Sequence, residues 1–214
     1  MLFDGRHQKT LTKIVAIIAI VAFAGFGLVA GGLAVSGGCG TADPLQQAVA
    51  DATSRLATEQ AAVKTAQKAA TAAPDSAKAK AALVSAKADL AQAFSTLAQA
   101  KIAVNPADPT ALADAITATK TAPDDGDLVL GLITIASAQN NPAAGLTAIA
   151  AYTRRNPNDA QMFAYWGQVA EQAGQRNQAM LAYQRFLELA PDDTLAPDIR
   201  NRLEQLSKQA ATTG

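Results

Sequence analysis

Three prolines, Pro123, Pro157 and Pro191, are equally spaced along the chain, and this spacing constrains the fold more than any other feature of the sequence. The segment that ends at the last of them, 163–191, reads F-x2-W-G-x2-A…A-x3-Y-x2-F…P. A period of about 34 residues is typical of repeated pairs of antiparallel helices. We therefore expect helix pairs in which a proline follows the end of each second helix.

Small and bulky residues within this unit predict how it packs. Gly167 and Ala179 are expected where the backbones of the two helices approach each other closely. Four aromatic residues are expected to fill the space around them: Phe163, Trp166, Tyr183 and Phe186. Trp166 falls on a core position of the pattern, so we interpret it as a core residue; Tyr165 beside it is more open to a ligand.

The preceding period of the chain carries a more divergent copy of the pattern. When 126–159 is aligned on 160–193, the matched positions are Leu132 with Trp166, Ala136 with Ala170, Gly145 with Ala179, Ile149 with Tyr183 and Tyr152 with Phe186. The stretch 105–125 has only alanines at the equivalent points: Ala111, Ala115 and Ala118. It predicts the end of a degenerate repeat whose first helix merges with a longer helix before it.

In these residues the chain resembles the tetratricopeptide repeat (TPR) family, over roughly its last half. The resemblance implies an α-solenoid that binds a partner along the concave face lined by the first helix of each pair. On that face it places Ala164 and eight candidate partner-binding residues: Asp127, Leu130, Thr134, Ser137, Gln161, Gln168, Glu171 and Gln172. Since none of these is Lys or Arg, the clamp for a terminal carboxylate that some members use is not expected.

Alanine-rich segments precede the repeats. About a quarter of all residues are alanine and only 5% are aromatic, which favours closely packed helices over sheet. Within 45–104, two apolar stripes follow 4–3 spacing, one interrupted by Glu59 and one alternating Leu and Ala from Leu83 to Val104. They predict a helical hairpin; loosely ordered low-complexity helix is the alternative. After the repeats, residues 194–214 predict an amphipathic helix that caps the solenoid.

An uncharged run, 14–35, precedes the helical segments. As a helix it would be about 33 Å long, enough to cross the ~30 Å hydrocarbon core of a bilayer, and it exceeds the apolar region of a cleavable signal peptide. The basic residues before it are Arg6, Lys9 and Lys13. The sequence therefore predicts a single-pass protein of the cytoplasmic membrane, with a cytoplasmic head (1–13), a linker (36–44) and all later residues outside.

Two features near this run leave alternatives open. Gly27 and Gly31 have the G-x-x-x-G spacing that can bring two spans together, so a homo-oligomer is an alternative to a monomer. Cys39 is a candidate lipidation site, although Ser36 stands where a leucine-like residue is expected. The glycine-rich stretch 25–32 is not interpreted as a nucleotide loop, because it lies inside the predicted span and follows no strand.

Charge and composition argue against several functions. Lys plus Arg and Asp plus Glu balance at 18 each, which disfavours nucleic-acid binding. With one cysteine and one histidine, the chain cannot assemble a His/Cys zinc site or an internal disulfide. No motif for a nucleophile, a phosphate or a cofactor is present, so we expect no enzyme activity and no cofactor. Four arginines are interpreted as solvated surface charge, with a basic rim as the alternative: Arg154, Arg155, Arg176 and Arg185.

These observations predict an all-α protein that consists of a membrane anchor, an alanine-rich hairpin and a TPR-like solenoid with a capping helix. The leading functional hypothesis is an extracytoplasmic scaffold or adaptor that binds another envelope protein or peptide. The alternative is a structural membrane protein that self-assembles through a coiled coil. The sequence names neither the partner nor the process.

Overall fold

The computed structural model describes residues 43–211, and all regular secondary structure in that range is helical, which confirms the predicted all-α class. The helices are α1 (Pro44–Ala72), α2 (Ala77–Val104), α3 (Pro109–Thr121), α4 (Gly126–Ala138), α5 (Pro142–Arg155), α6 (Ala160–Gln172), α7 (Arg176–Leu189) and α8 (Ala196–Ala211). None of these eight is long and apolar enough to cross a membrane. The predicted span, 14–35, and the head before it lie outside the described residues.

Side-chain caps and prolines determine where most of these helices begin. Aspartate side chains accept backbone N–H bonds at four starts: Asp43 at α1, Asp108 at α3, Asp125 at α4 and Asp159 at α6. Ser76 caps α2 in the same way. Proline, which lacks the N–H that would be unsatisfied at this place, occupies the first position of three helices: Pro44, Pro109 and Pro142.

From α2 onward the helices end at a constant interval, which is half the spacing of the three prolines. The C-terminal capping residues of α2 to α7 are, in order, Asn105, Ala122, Gln139, Asn156, Ala173 and Ala190. At each of them the backbone N–H donates to the carbonyl of the residue four positions earlier. The proline period therefore corresponds to two helix-and-turn units of equal length.

Two kinds of turn connect these units. The turns inside the pairs α4/α5 and α6/α7 contain the residues with positive φ, Asn140 (54°) and Gly174 (70°). The N–H of the next residue, Asn141 or Gln175, donates to the carbonyl five positions earlier, as in a Schellman motif. The turns between pairs, and also the turn between α2 and α3, instead place a proline directly after the capping residue, where its fixed φ suits a β-turn.

Consecutive helices pack against each other, and α2 also contacts α4. The largest cluster of buried side chains runs from α4 to α8 and includes Ile149 and Phe186. A second cluster joins α2, α3 and α4. It consists mostly of alanines, such as Ala98 and Ala111, and also contains Leu132. The helices α2 to α7 thus form three pairs, and we call these six helices the repeat stack.

The helix α8 covers the last pair of the repeat stack. Its residues Ile199 and Leu206 are buried and Leu203 is partly buried, whereas most of its other side chains are exposed. The helix begins at Ala196, within the segment 194–214 for which an amphipathic helix was predicted. Its apolar stripe packs against the repeat stack, and its polar side faces solvent.

In the hairpin of α1 and α2, each helix buries only one narrow stripe of residues. On α1 the partly buried or buried residues recur at 4–3 spacing from Val49 to Ala70 and include Glu59. On α2, Leu83 and Leu90 are partly buried and Leu97, farther along the same stripe, is fully buried. Most other positions between 60 and 82 are exposed, so this part of the hairpin is covered only where α1 meets α2.

The close contact expected at Gly167 is present, but its neighbour is a ring and not a backbone. A Cβ atom at position 167 would lie 2.2 Å from Cε1 of Tyr183. At position 145, which aligns with Ala179, an added Cβ would lie 3.3 Å from the nearest side-chain atoms. Tyr183 therefore fits in its place only because residue 167 has no side chain.

Gly167→Ala should destabilise the protein by about 1–3 kcal/mol, because the new methyl group displaces the Tyr183 ring from a packed core. Gly131→Ala is the matched control, since its added Cβ would come no closer than 3.6 Å to Ser95. That control should be neutral or stabilising by up to about 1 kcal/mol, the usual preference of a helix for alanine. Urea unfolding of both variants measures the difference; equal stabilities would contradict the packing at Gly167.

Candidate partner-binding face

The eight residues predicted to bind a partner lie on two helices that belong to successive pairs. Four of them are on α4 and four are on α6. Four of the eight side chains are exposed: Asp127, Ser137, Gln161 and Gln172. The other four are partly buried: Leu130, Thr134, Gln168 and Glu171. Ala164, placed on the same face by the sequence, is buried at 2% exposure and offers no surface. We call the other eight residues the α4/α6 face.

A hydrogen bond joins the two helices at one end of this face. The Ser137 hydroxyl donates to Oε1 of Gln172 over 3.3 Å. The residues are 35 positions apart in sequence and belong to different helix pairs. This end of the α4/α6 face is therefore joined across the boundary between repeats.

Glu171 is engaged inside the protein, which the sequence did not reveal. Its carboxylate accepts a hydrogen bond from the Tyr183 hydroxyl (2.7 Å) and another from Nε of Arg202 on α8 (2.7 Å). Burial is the main cause of the raised pKa of Tyr183, and its hydrogen bond to the Glu171 carboxylate raises this pKa further. The hydrogen bond to Glu171 also raises the pKa of Arg202. Glu171 thus links α6, α7 and the capping helix, and we do not assign it to partner binding.

Gln168 carries an unpaired hydrogen-bond acceptor beneath the α4/α6 face. Its Oε1 atom is buried and makes no hydrogen bond to another described residue, whereas the side chain as a whole is only partly buried. A buried polar atom without a partner costs about 1–3 kcal/mol, and an N–H group of another chain reaches this oxygen only if the Gln168 side chain turns outward. Thr134, on α4, directs its hydroxyl to the carbonyl of Leu130 in its own helix and is less available.

The aromatic residues of α6 belong to the core or its margin. The rings of Phe163 and Trp166 are stacked with centroids 6.0 Å apart, and both pack against the large buried cluster, as expected for core positions. Tyr165 is partly buried against the same cluster, and its burial raises the pKa of its hydroxyl. The α4/α6 face therefore has no exposed aromatic platform.

Three arginines bind the turns between repeats. Each donates to the carbonyl of one of the three equally spaced prolines: Arg155 to Pro123, Arg185 to Pro157 (3.3 Å) and Arg200 to Pro191 (2.6 Å). Arg155 also pairs with Asp124 at 2.8 Å, and Arg185 lies 6.0 Å from the ring centroid of Phe163. Of the four arginines interpreted as solvated charge, Arg155 and Arg185 thus have defined structural contacts.

No group of three or more His, Cys, Asp or Glu side chains within residues 43–211 is arranged to hold a metal ion. The α4/α6 face has an acidic residue at one end, Asp127, and is otherwise uncharged apart from the paired Glu171. Its chemistry is that of amide and hydroxyl groups, which suits hydrogen bonding to a polar segment of another molecule.

Glu171→Ala should lower the free energy of unfolding by about 1–3 kcal/mol, because it leaves the buried Tyr183 hydroxyl without its acceptor and Arg202 without its pair. Gln172→Ala, at the exposed neighbouring position, is the control and should change stability by less than about 0.5 kcal/mol. Denaturant unfolding followed by circular dichroism compares the two. If both variants were equally stable, Glu171 would be free for the role in partner binding that the sequence predicted.

Comparison with known proteins adds no relative. No protein-family model matches this chain, and no curated protein matches it. The resemblance to the TPR family therefore stays a prediction that depends on the residue pattern, the proline period and the packing of the helices.

Proposed function

We propose that this protein is a membrane-anchored TPR scaffold or adaptor, which binds a segment of another envelope protein through the α4/α6 face. The observation that carries the proposal is a row of amide side chains on a face that crosses a repeat boundary and includes Gln168, whose Oε1 atom has no hydrogen-bond partner among the described residues. Glutamine offers both donors and acceptors, so this row suits the backbone and polar side chains of an extended segment.

The repeat assignment is supported by three features of the packing. The helix-and-turn units have a constant length, Gly167 lies against an aromatic ring of the second helix, and α8 closes the end of the stack. Repeats of this kind expose long surfaces that bind other chains, and a polar outer face on the terminal helix keeps such a stack from extending further.

Membrane attachment is proposed from the sequence, because the run 14–35 lies outside the described residues. The basic head, the uncharged run and the absence of a basic cluster directly after it in the sequence support an N-terminus in the cytoplasm. The α4/α6 face would then be presented outside the cytoplasmic membrane, where the partner is expected.

The alternative function, self-assembly through the heptad stripe of the hairpin, has less support. Leu83 and Leu90 are partly buried and Leu97 is buried at 5% exposure within the chain's own helix packing. A partner would have to displace α1 to reach this stripe. If alanine at these three positions abolished partner capture while the repeat stack stayed folded, the hairpin and not the α4/α6 face would be the binding surface.

Replacing Gln161, Gln168 and Gln172 together by alanine should reduce recovery of the native partner about tenfold or more, since each lost hydrogen bond contributes about 0.5–1.5 kcal/mol. Recovery is measured by affinity purification after cross-linking in the native membrane. Helix content should stay unchanged and the melting temperature should not fall, because Gln161 and Gln172 are exposed and Gln168 is only partly buried with an unpaired oxygen.

The matched control replaces three polar residues on the surface of α7: Asn177, Gln178 and Gln184. This variant should recover the partner as well as the unaltered chain does. Equal recovery by both triple variants would contradict the assignment of the α4/α6 face.

A further inference from the structure

The distal part of the hairpin, residues 64–80, takes no part in the packing of the repeat stack. The helix α1 packs chiefly on α2, and in this part only the narrow stripes between the two helices are covered. Between 64 and 80 the chain has no Leu, Ile, Val, Met or aromatic residue, and about half of the segment is alanine. The stack therefore does not depend on this segment for its hydrophobic core.

The distal segment is positively charged. It contains four lysines and one aspartate, a net charge of +3, in a chain that is neutral as a whole. All five charged residues are exposed: Lys64, Lys68, Asp75, Lys78 and Lys80. None of them takes part in the ion pairs found within residues 43–211.

The positive region ends where the hairpin meets the repeat stack. There Lys87 lines an open notch that also contains four aspartates: Asp124, Asp125, Asp127 and Asp159. These carboxylates offset the charge of Lys87. The lysines beyond the notch therefore make up the positive region of the hairpin.

The composition of 64–80 suits a diffuse anionic surface better than another protein. Protein interfaces depend on a few buried aromatic or arginine anchors, and this segment has neither. A lysine ammonium is a compact, hydrated charge that attracts phosphate without a fixed geometry. Lipid headgroups present many phosphates side by side, and each lysine near an anionic bilayer adds to the attraction.

The sequence before α1 keeps the distal segment within reach of a bilayer. Eight residues, 36–43, separate the predicted span from α1, and fully extended they cover about 28 Å. The helix α1 has 29 residues and is about 43 Å long. The hairpin can therefore slant until its tip meets the headgroups, or stand upright with its tip about 40 Å or more above them.

We propose that residues 64–80 bind anionic lipid headgroups of the membrane that anchors the chain. The inference rests on the membrane attachment that the proposed function includes, and it adds a second, electrostatic contact to the predicted span. Two points of attachment restrict the rotation of the repeat stack about the linker. The α4/α6 face is then presented to its partner in fewer orientations.

The test measures how close the hairpin tip lies to the bilayer. A donor dye is attached at Ala73→Cys in the turn, with Cys39→Ser so that no other thiol reacts, and acceptor dyes are attached to lipid headgroups. The full chain is reconstituted into vesicles of phosphatidylcholine, with or without phosphatidylglycerol. Flotation of the vesicles after a high-salt wash shows whether the chain is anchored.

Energy transfer from the tip should be high in the anionic vesicles at about 50 mM salt, because the lysines hold the tip at the headgroups. It should fall about threefold or more at about 500 mM salt, where the charges are screened, and in the vesicles that lack phosphatidylglycerol.

Replacing Lys64, Lys68 and Lys80 together by glutamine should lower the transfer in anionic vesicles to a similar extent, since three of the four positive charges are lost. The matched control also removes three exposed positive charges, but outside the hairpin: Lys120→Gln, Arg154→Gln and Lys208→Gln. The control should keep the transfer of the unaltered chain. Circular dichroism shows that both variants are folded.

Three results would overturn the proposal: low transfer from the unaltered chain at low salt, equal transfer in neutral and anionic vesicles, and transfer that the triple replacement leaves unchanged. If that replacement reduced partner recovery in cells without changing the transfer, the lysines would bind an acidic protein segment instead. A chain that does not float would contradict the predicted anchor, and with it the proposed function. A chain that floats without transfer would contradict the hairpin contact alone.

Discussion

The constant length of each helix and its turn is the constraint on which the rest of the structure depends. Because every unit has the same length, the candidate residues of α4 recur on α6 one period later, for example Asp127 with Gln161 and Thr134 with Gln168. A hydrogen bond joins the two helices between Ser137 and Gln172, which are one position out of this period. Where the units pack, Gly167 provides the space for Tyr183, and the Tyr183 hydroxyl in turn orients Glu171 toward the capping helix.

Several charged side chains of the repeat stack and of α8 are engaged in internal contacts. Arg155, Arg185 and Arg200 satisfy carbonyls in the turns between repeats, and Glu171 is paired with Arg202. What remains on the α4/α6 face is mainly polar and neutral, a chemistry suited to hydrogen-bonded recognition.

Several features could be predicted from the sequence because they depend on local spacing. The helix pairs, the stripe on α1 and the contact at Gly167 follow from periodicity and residue size, although Glu59, predicted to interrupt the stripe, is partly buried within it. The arginine contacts could not be predicted, because the offsets from arginine to proline are 32, 28 and 9 positions and show no period. The engagement of Glu171 was missed for a similar reason, since Arg202 lies 31 positions away on a helix outside the repeats.

The central claim is that the α4/α6 face meets the partner in the cell. A photo-activated cross-linking amino acid placed at Gln168, with the same amino acid at the exposed Gln184 of α7 as a reference, tests it most directly in the native membrane. The account predicts a cross-link to another protein from position 168 and none from position 184. A partner cross-linked from position 184 alone would contradict it.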